Sequence, residues 1–351
     1  MSLSESKSTS QKHLILISGS TLPTGFPASL GRAIAKLKTY NVHFFDDIKE
    51  LQKLWKFFKY SIPFRLLRIF FQKSLEKKFL EEISRLNPKF ILIIKGFLYS
   101  QNFYKKIKRD FPATKLIYFN PDNSFNNWHF GNSSKAILRS IPLYDLHLLW
   151  GDFLKERTYS AGAKKISELK FAFDEEIYKG FDNKEKFLEQ PYDVTFVGSW
   201  DKERENLIKS LLGFKILIWG NGWEKSSMIV RKRWSGHDAN GPLFKEICMK
   251  SKINLNFVRK QNIPAHNMRS FEVFGLGGFM ISTFCEELND ILPYHKETSF
   301  SSIPELKERL NFYLNEPEKR NQISAEVQQC ILKYHTYNER AKDFLEYLSK
   351  L

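Results

Sequence analysis

The feature that most constrains the fold is a series of short apolar segments, each of which ends in a glycine or a polar loop. They occupy residues 13–19, 90–96, 115–122, 146–151, 193–200, 214–220, 253–257 and 278–282. Their apolar residues are continuous and do not alternate with polar ones, which is typical of strands covered on both faces. Helical patterns such as 202–212 and 303–314 lie between them. Alternating strands and helices predict an α/β fold with parallel sheets.

The chain length predicts two domains, because 351 residues exceed the size at which a single core usually divides. A charged stretch with little apolar content, residues 174–191, is the predicted linker. We expect two Rossmann-like, doubly wound domains at residues 13–175 and 191–335, and a C-terminal helix at 336–351 that packs back on the first. Residues 1–12 are rich in Ser and Lys and have no apolar core, so they predict a loose tail and not a signal peptide.

The net charge of +16 favours an anionic partner, which can be a nucleic acid, an anionic membrane or a phosphorylated substrate. Residues 51–80 contain eight Lys or Arg, eight aromatic residues and one acid, and Pro63 divides them into two helical pieces. This segment is either a membrane-surface element or an amphipathic helix pair with its aromatics in the core, since periodicity does not separate the two. Nucleic acid is not an expected partner, because the sequence has no recognition motif for it. No apolar run reaches about 18 residues, so nothing is predicted to span a membrane.

The three cysteines are odd in number and lack metal-ligand spacing. Cys248 and Cys285 stand among apolar neighbours, which predicts buried free thiols in a reducing compartment, and Cys330 completes the set. The sequence has no Asp-x-Asp, GxSxG or HExxH motif, so we expect no metal. The STLPTG loop at residues 20–25 matches neither a nicotinamide-binding nor a P-loop pattern, and we expect no cofactor.

Two glycine turns follow strands in the second half. Gly198-Ser199-Trp200 ends one strand just before a helix, where glycine and free N–H groups can receive a phosphate. Gly220-Asn221-Gly222-Trp223 ends the next strand, and its glycines tolerate positive φ. The flanking Trp219 and Trp223 either stack on a nucleobase or pack at the sheet edge. Ordinary strand-to-helix turns remain the alternative for both motifs.

Charged residues cluster around the following strand and helix. Arg259 and Lys260 follow a strand, where two cations suit a diphosphate or simply form a solvated loop. Asn267 can cap the next helix. Arg269 and Glu272 lie three residues apart on one helical face, so they can bind a phosphate and a sugar diol, or pair with each other on the surface. Because their neighbours are apolar, Glu272 should have a hydrogen-bond donor.

One carboxylate in the first half is a candidate base. Asp122 follows Pro121 at a strand end and can accept a proton from an acceptor hydroxyl. The alternative is a Pro-Asp-Asn turn. Lys95-Gly96 is a strand end of similar ambiguity.

These motifs, in this order, resemble the CgeB-like (spore maturation protein) glycosyltransferases, a branch of the GT-B nucleotide-sugar transferases. The match runs from about residue 85 to the end and is strongest after Asp193. The matching pieces are IKG, FNPDN, YDVTFVGSWDKERENLI, ILIWGNGW, INLNFVRKQ, HNMRSFEVFGLGGFMIST, EELNDILPYHKE and the segment from PELKERL to NERA.

The resemblance implies a GT-B fold with two Rossmann-like domains facing a cleft, a donor site in the second domain, and no metal requirement. It implies that Glu272 takes the donor ribose hydroxyls and that Arg259, Lys260 and Arg269 contact the diphosphate. Many retaining relatives have a further Glu eight residues before the ribose ligand, where this chain has Pro264. His266 or Asn267 then contacts the sugar, and His266 is a second candidate catalytic residue.

The predicted function is hexosyltransferase-type transfer from a nucleoside diphosphate sugar to a hydroxyl of a glycan, a lipid-linked acceptor or a protein. We expect it to serve cell-surface polysaccharide or glycoconjugate synthesis, in the cytoplasm or on the inner face of the membrane through residues 51–80. The alternative is a non-catalytic glycan- or nucleotide-binding module on the same fold.

Overall fold

The computed structural model describes residues 13–57, 64–126, 131–178 and 189–351, without the side chains of residue 51 and residues 54–70. The predicted tail at residues 1–12 lies outside these ranges. The chain forms two compact units. Unit 1 comprises the residues up to Leu149 together with Glu156–Ser167 and Phe344–Leu351, and unit 2 comprises Trp150–Lys155 and Glu168–Asp343.

Unit 1 is built on a six-stranded sheet in the order β2-β1-β3-β4-β5-β6. β1 pairs in parallel with β2 and β3, and β4 pairs in parallel with β3 and β5. The strands are β1 Leu14–Ser18, β2 Asn41–Phe45, β3 Phe90–Ile94, β4 Lys115–Phe119, β5 Leu146–Leu149 and β6 Ile166–Glu168. The helices are α1 Phe26–Lys36, α2 Asp47–Phe57, α3 Phe64–Leu86, α4 Gln101–Asp110, α5 Lys135–Ser140 and α6 Lys155–Ser160.

Unit 2 is built on a five-stranded sheet in the order β11-β10-β9-β7-β8, and all its pairs are parallel. The strands are β7 Tyr192–Val197, β8 Ile216–Trp219, β9 Ser251–Asn256, β10 Met280–Thr283 and β11 Ser299–Phe300. The helices are α7 Lys202–Ser210, α8 Met228–Arg231, α9 Pro242–Met249, α10 Arg269–Gly275, α11 Ile303–Asn315 and α12 Pro317–Tyr334. A last helix, α13 Tyr337–Ser349, begins in unit 2 and continues in unit 1 from Phe344.

The eight apolar segments predicted as strands all form strands, and the α/β fold class is confirmed. All five residues of β3 are buried, as expected for a strand covered on both faces. The pattern missed β2, β6 and β11. β2 is a sheet edge with no fully buried residue, and the other two contain three and two residues, too few to show periodicity.

The basic aromatic segment at residues 51–80 contributes to the core of unit 1 at its C-terminal end. Two helices, α2 and α3, lie on the two sides of Pro63, which itself lies outside the described residues. Leu75, Phe79 and Ile83 of α3 are buried in one cluster with strand residues such as Leu16 and Ile91. This burial favours the core interpretation for the later part of α3, while membrane contact of residues 51–80 stays a prediction.

The C-terminal helix α13 begins where the sequence predicts. The hydroxyl of Thr336 accepts a hydrogen bond from the Glu339 amide at 3.4 Å, as the residue that caps a helix start does. Residues Phe344–Leu351 belong to unit 1, where Lys165 donates a hydrogen bond to the Lys350 carbonyl at 2.8 Å. The described ends of the predicted linker, residues 174–178 and 189–191, belong to unit 2.

Two further expectations can be compared with the structure. Cys248 and Cys285 are free and buried, as predicted, and burial raises the pKa of both thiols above the ordinary value. Among the helices of the described ranges, none is long and apolar enough to cross a bilayer.

Candidate functional site

The order of strands in unit 2 creates one position at which ligands are expected. The chain passes from β7 through α7 to β8 on one side of the sheet, whereas β9 is followed by α10 and β10 on the other. β7 and β9 are neighbours, so their carboxyl ends flank a topological switch point, the usual ligand position in open parallel sheets. The predicted donor-binding residues all lie in the chain segments that follow strands β7, β8 and β9.

The two glycine turns pack main chain against main chain. The amide of Trp200 donates to the Asn221 carbonyl at 2.8 Å. A Cβ atom on Gly220 would lie 2.0 Å from the Gly198 carbonyl oxygen, and Gly220 and Gly222 have φ of +140° and +87°. The predicted need for positive φ in this turn is therefore confirmed, and close approach of the backbones makes glycine necessary at residue 220.

The tryptophans of these turns differ in exposure. Trp223 is fully buried and donates from Nε1 to the Gly198 carbonyl at 2.8 Å, and Trp219 is 7% exposed and packs near Tyr192. Stacking of Trp223 on a nucleobase is therefore wrong for this conformation, because its ring faces are already covered. Trp200 is partly exposed and donates to Glu205 at 3.2 Å, so it is the tryptophan that a ligand can reach.

Three arginines converge at the switch point. Arg204 donates to the Ser199 carbonyl at 2.9 Å and the Phe257 carbonyl at 3.0 Å, thereby joining the carboxyl ends of β7 and β9. Arg259 donates to Asp201 at 3.2 Å. The pKa of Arg204 is lowered to about 10, chiefly by burial and also by the neighbouring charges of Arg259 and Arg269, while Asp201 acts in the opposite direction. The positive charges of neighbouring guanidinium groups repel one another, which favours an anion beside them.

Arg204 was missed by the sequence prediction. Its position in the first turn of α7, three residues after the cap residue Asp201, is also common for purely surface residues. The main-chain amide of Arg204 bonds to Asp201 at 2.9 Å, so the same carboxylate caps the helix and holds Arg259. Only the folded structure brings the side chains of Asp201, Arg204 and Arg259 together.

Arg269 and Glu272 form an ion pair at the start of α10. Their charged atoms are 2.6 Å apart, and the side chains are 26% and 15% exposed. The Arg269 guanidinium carbon lies 3.7 Å from the ring centre of Phe244, a cation–π contact. The predicted donor for Glu272 is thus Arg269, and the partial burial argues against an ordinary surface pair. Tyr178, which was also missed, lies near this pair: burial and then the charge of Glu272 raise the pKa of its hydroxyl.

Asn267 stabilises the start of α10 as predicted. Its side-chain oxygen accepts from the Ser270 amide at 3.3 Å, and its amide nitrogen donates to Asn256 at the end of β9 at 2.9 Å. The pair therefore ties the helix start to the strand end. Lys260 differs from Arg259, since its side chain is 75% exposed and its ammonium lies 2.6 Å from Glu203. That geometry is that of a solvated loop residue.

His266 is not where a catalytic or sugar-contacting group was expected. Its ring is fully buried, with rings of Trp150, Phe171 and Phe271 packed edge-on around it. Burial, with smaller contributions from Lys170 and Arg340, lowers the pKa of His266 to about 3. The prediction that His266 reaches the substrate is therefore corrected: in this structure the ring is a neutral part of an aromatic cluster in unit 2.

Another carboxylate lies beside the same loop. Glu287 accepts from the amides of Asp152 at 3.1 Å and Phe153 at 3.4 Å, and its own amide donates to the Pro264 carbonyl at 3.3 Å. Its second carboxylate oxygen has no hydrogen-bond partner among the described residues, and burial raises the pKa of the group. No pattern in the sequence distinguished Glu287.

In unit 1, the candidate base Asp122 pairs with Lys95, 2.6 Å away. The Asp122 amide also donates to Asn120 at 3.0 Å, so the predicted turn is present. The structure thus joins the two ambiguous strand ends, β3 and β4, through one ion pair.

A second polar cluster in unit 1 lies at the ends of β1 and β2. The hydroxyls of Ser18 and Tyr99 are 2.6 Å apart, and Ser18 and Tyr99 donate to Asp47 at 3.3 and 3.4 Å. Burial raises the pKa of Asp47 to about 7, aided by the nearby charge of Asp46. Within the described ranges, no group of three or more His, Cys, Asp or Glu side chains is arranged to hold a metal ion.

A family model matches part of unit 2 and the end of the chain. Residues 202–346, less than half of the chain, match a family model described as "Glycosyl transferase-like". This segment contains Arg204, Arg259, Arg269 and Glu272. Comparison with curated protein sequences gave no match.

Solved structures of similar fold cover nearly the whole chain. Sucrose-phosphate synthase from Thermosynechococcus elongatus is 10% identical with a TM-score of 0.67, covering 97% of this chain and 99% of its own. The α,α-trehalose 6-phosphate synthase from Burkholderia multivorans is 10% identical with a TM-score of 0.62, covering 97% and 96%. UDP-GlcNAc 2-epimerase from Neisseria meningitidis, solved with UDP-GlcNAc, is 12% identical with a TM-score of 0.56, covering 97% and 100%.

These similarities establish the fold, which is the α/β GT-B fold with two Rossmann-like units. The family match of residues 202–346 supports glycosyl transfer by this chain.

Proposed function

We propose that the protein is a group 1 glycosyltransferase that moves a sugar from a nucleoside diphosphate sugar to an acceptor hydroxyl, with the donor bound by unit 2. The observation that carries this proposal is the convergence of three arginines at the switch point of unit 2. The same segment contains the Arg269–Glu272 pair and matches the glycosyl transferase-like model.

The three arginines have different roles in binding the diphosphate. Arg259 and Arg269 are partly exposed and approach the phosphates, whereas Arg204 supports them from a buried position where its hydrogen bonds hold β7 and β9 together. Cations placed before the reaction stabilise the charge that develops on the leaving diphosphate, which is the role a metal ion has in other transferases. On this basis we propose that transfer is metal-independent.

Glu272 binds the ribose hydroxyls of the donor. Its carboxylate lies 2.6 Å from Arg269. One ion pair therefore places a carboxylate, which accepts hydrogen bonds from the ribose diol, beside a guanidinium, which donates hydrogen bonds to a phosphate. Trp200 is available to contact the base, and the Gly198-Ser199 turn lets the phosphates approach the main chain.

On the acceptor side we propose Asp122 as the base, with the Lys95 ammonium 2.6 Å away holding its carboxylate in position. The acceptor is a glycan, a lipid-linked or a protein hydroxyl used in cell-surface polysaccharide or glycoconjugate synthesis, at the inner face of the membrane. Membership of the CgeB-like branch is part of this proposal and rests on the sequence motifs alone.

Calorimetry with a panel of nucleoside diphosphates tests the donor site. Glu272→Ala should weaken binding of the preferred diphosphate at least about tenfold, because a hydrogen bond to a charged group contributes about 1.5–3 kcal/mol. Glu246→Ala is the matched control, since Glu246 also pairs with a helix neighbour, Lys250, at 2.7 Å but lies outside the site. Equal affinities of the Glu272 variant and the wild type would remove Glu272 from the donor site.

A second measurement separates an enzyme from a binding module. Radiolabelled nucleotide sugars, incubated with the full-length protein and candidate acceptors, should release the nucleoside diphosphate. Tight binding of the diphosphate with neither transfer nor hydrolysis of any donor would favour the non-catalytic module.

A further inference from the structure

A surface of unit 2 that takes no part in the proposed donor site combines exposed apolar and basic side chains. Helix α8 presents Met228 and Ile229, which are 65% and 54% exposed, while Val230 behind them is fully buried. Among the large apolar side chains that are exposed in the described ranges, these two are the only neighbours in sequence. Together these two side chains form an exposed apolar tip on helix α8.

Cations surround this apolar tip. Residues 224–233 contain four Lys or Arg and one acid. Lys225, Arg231 and Lys232 are exposed. Lys232 and Arg233 also line an open groove of about 620 Å³ with Lys215, Leu217 and Lys252. The acid in this groove, Asp193, is paired with Lys252 at 2.6 Å, so the other cations of the groove give it a positive surface.

We propose that this basic apolar surface, formed by Lys215, Leu217, Met228, Ile229 and Lys232, docks on an anionic lipid bilayer. Met228 and Ile229 enter the boundary between headgroups and acyl chains, and the lysines contact the anionic headgroups. The lysine stems are apolar and the ammonium groups are charged, so they suit the depth at which the two regions meet. The surface lies on unit 2 and is separate from residues 51–80 of unit 1.

The chemistry favours a bilayer over the other anionic or apolar partners. A single-stranded nucleic acid would use aromatic faces for its bases, whereas Met228 and Ile229 have none, and the nearby Trp234 donates its N–H to the Gly220 carbonyl at 2.9 Å. A stable protein interface needs about 800 Å² on each partner, with a shaped apolar centre larger than two side chains. A bilayer is deformable and needs no matching shape.

Flotation of the full-length protein with vesicles tests the inference. The protein should bind vesicles that contain phosphatidylglycerol, bind pure phosphatidylcholine vesicles much less, and lose binding as salt is raised. Replacement of both Met228 and Ile229 by Ser should lower partitioning at least about tenfold. The matched control replaces Phe312 and Leu332 by Ser, because these are 52% and 42% exposed elsewhere in unit 2.

A second variant separates the charge from the apolar tip. Lys215→Gln with Lys232→Gln should weaken vesicle binding and reduce its salt dependence, since both side chains are exposed and line the groove. Thermal melting and diphosphate calorimetry should be unchanged in all variants, because the surface is exposed and lies outside the donor site. This independence keeps the inference distinguishable from the proposed function.

Three results would overturn the inference. The first is a wild type that fails to bind phosphatidylglycerol vesicles at low salt. The second is full binding by the Met228 and Ile229 variant, which would assign membrane contact to another surface such as residues 51–80. The third is a protein that does not bind vesicles but retards a single-stranded oligonucleotide in a way that depends on Lys215 and Lys232.

Discussion

Units 1 and 2 have the same kind of sheet but opposite chemistry at their switch points. In unit 1, β1 and β3 flank that point, and the nearby side chains are Ser18, Asp47 and Tyr99 in a buried hydroxyl–carboxyl cluster. In unit 2, β7 and β9 flank it, and Arg204 and Arg259 lie there. One topology therefore supports both a buried neutral cluster and a cationic site, since the loops after the strands decide the chemistry.

The largest expected effect tests the unit 1 cluster by pH. The pKa of Asp47 is raised from 3.8 to about 7, so the folded state keeps a proton that the unfolded state loses. Its stabilising contribution is full below the unfolded pKa, falls as pH rises through the window between these values, and levels off above about 7. The total change is about 4 kcal/mol, since each unit of pKa difference corresponds to about 1.4 kcal/mol.

Asp47→Asn should remove this dependence of the unfolding free energy on pH while keeping the size of the side chain. Urea unfolding of the two proteins between pH 5 and pH 8 measures the difference. Glu50→Gln is the control, because the pKa of Glu50 is lowered in the folded state, so its contribution to the pH dependence falls at more acid pH than the measured range. Parallel pH profiles of wild type and the Asp47 variant would show that the carboxyl is ionised in both states.

The next effect compares the glycines of the two units. Gly220→Ala should destabilise unit 2 by about 3 kcal/mol or more, because its Cβ would meet the Gly198 oxygen at 2.0 Å and φ is +140°. Gly19→Ala in unit 1 should cost less, since the nearest atom is a side-chain carbon of Ile94 at 3.1 Å. Gly213→Ala, with nothing within 4 Å, should be close to neutral in thermal unfolding. Equal losses at residues 19 and 220 would contradict the main-chain packing described for unit 2.

A third comparison concerns anion binding. Arg269→Leu should weaken diphosphate binding by about 2 kcal/mol, or about 30-fold, because it removes a charge-assisted hydrogen bond. Lys95→Leu in unit 1 should leave the affinity unchanged, since Lys95 pairs with Asp122 at 2.6 Å and is not part of the donor site. Calorimetry at one salt concentration measures both. A larger loss of diphosphate affinity in the Lys95 variant than in the Arg269 variant would indicate that the anion binds to unit 1.

The smallest effect concerns Trp223. Trp223→Phe keeps an aromatic ring against Phe196 and removes the bond to the Gly198 carbonyl, so stability should fall by about 1 kcal/mol with no change in diphosphate affinity. Thermal unfolding and calorimetry of the same preparation provide the two readings. Lower affinity at unchanged stability would restore Trp223 as a base-stacking residue.

The fold was predictable because its strands are continuous apolar runs that only a covered parallel sheet can accommodate. Glu272 and its need for a donor were also predictable, since an acid in an apolar helix cannot remain unpaired. Trp223 and His266 were not, because whether an aromatic or imidazole ring faces solvent depends on which neighbours close over it, and those neighbours are distant in sequence.

By itself, the sequence determined the α/β class, the glycine turns after β7 and β8, the start of α13 at Thr336 and the buried state of Cys248 and Cys285. Each depends on local pattern or on composition. Only the tertiary structure decided that Arg204 joins Arg259 and Arg269, that Glu287 lies beside Pro264, and that Asp47 shares a proton-binding cluster with Ser18 and Tyr99. These contacts join strands that are separated by crossover helices, and the direction of each crossover sets which strand ends become neighbours.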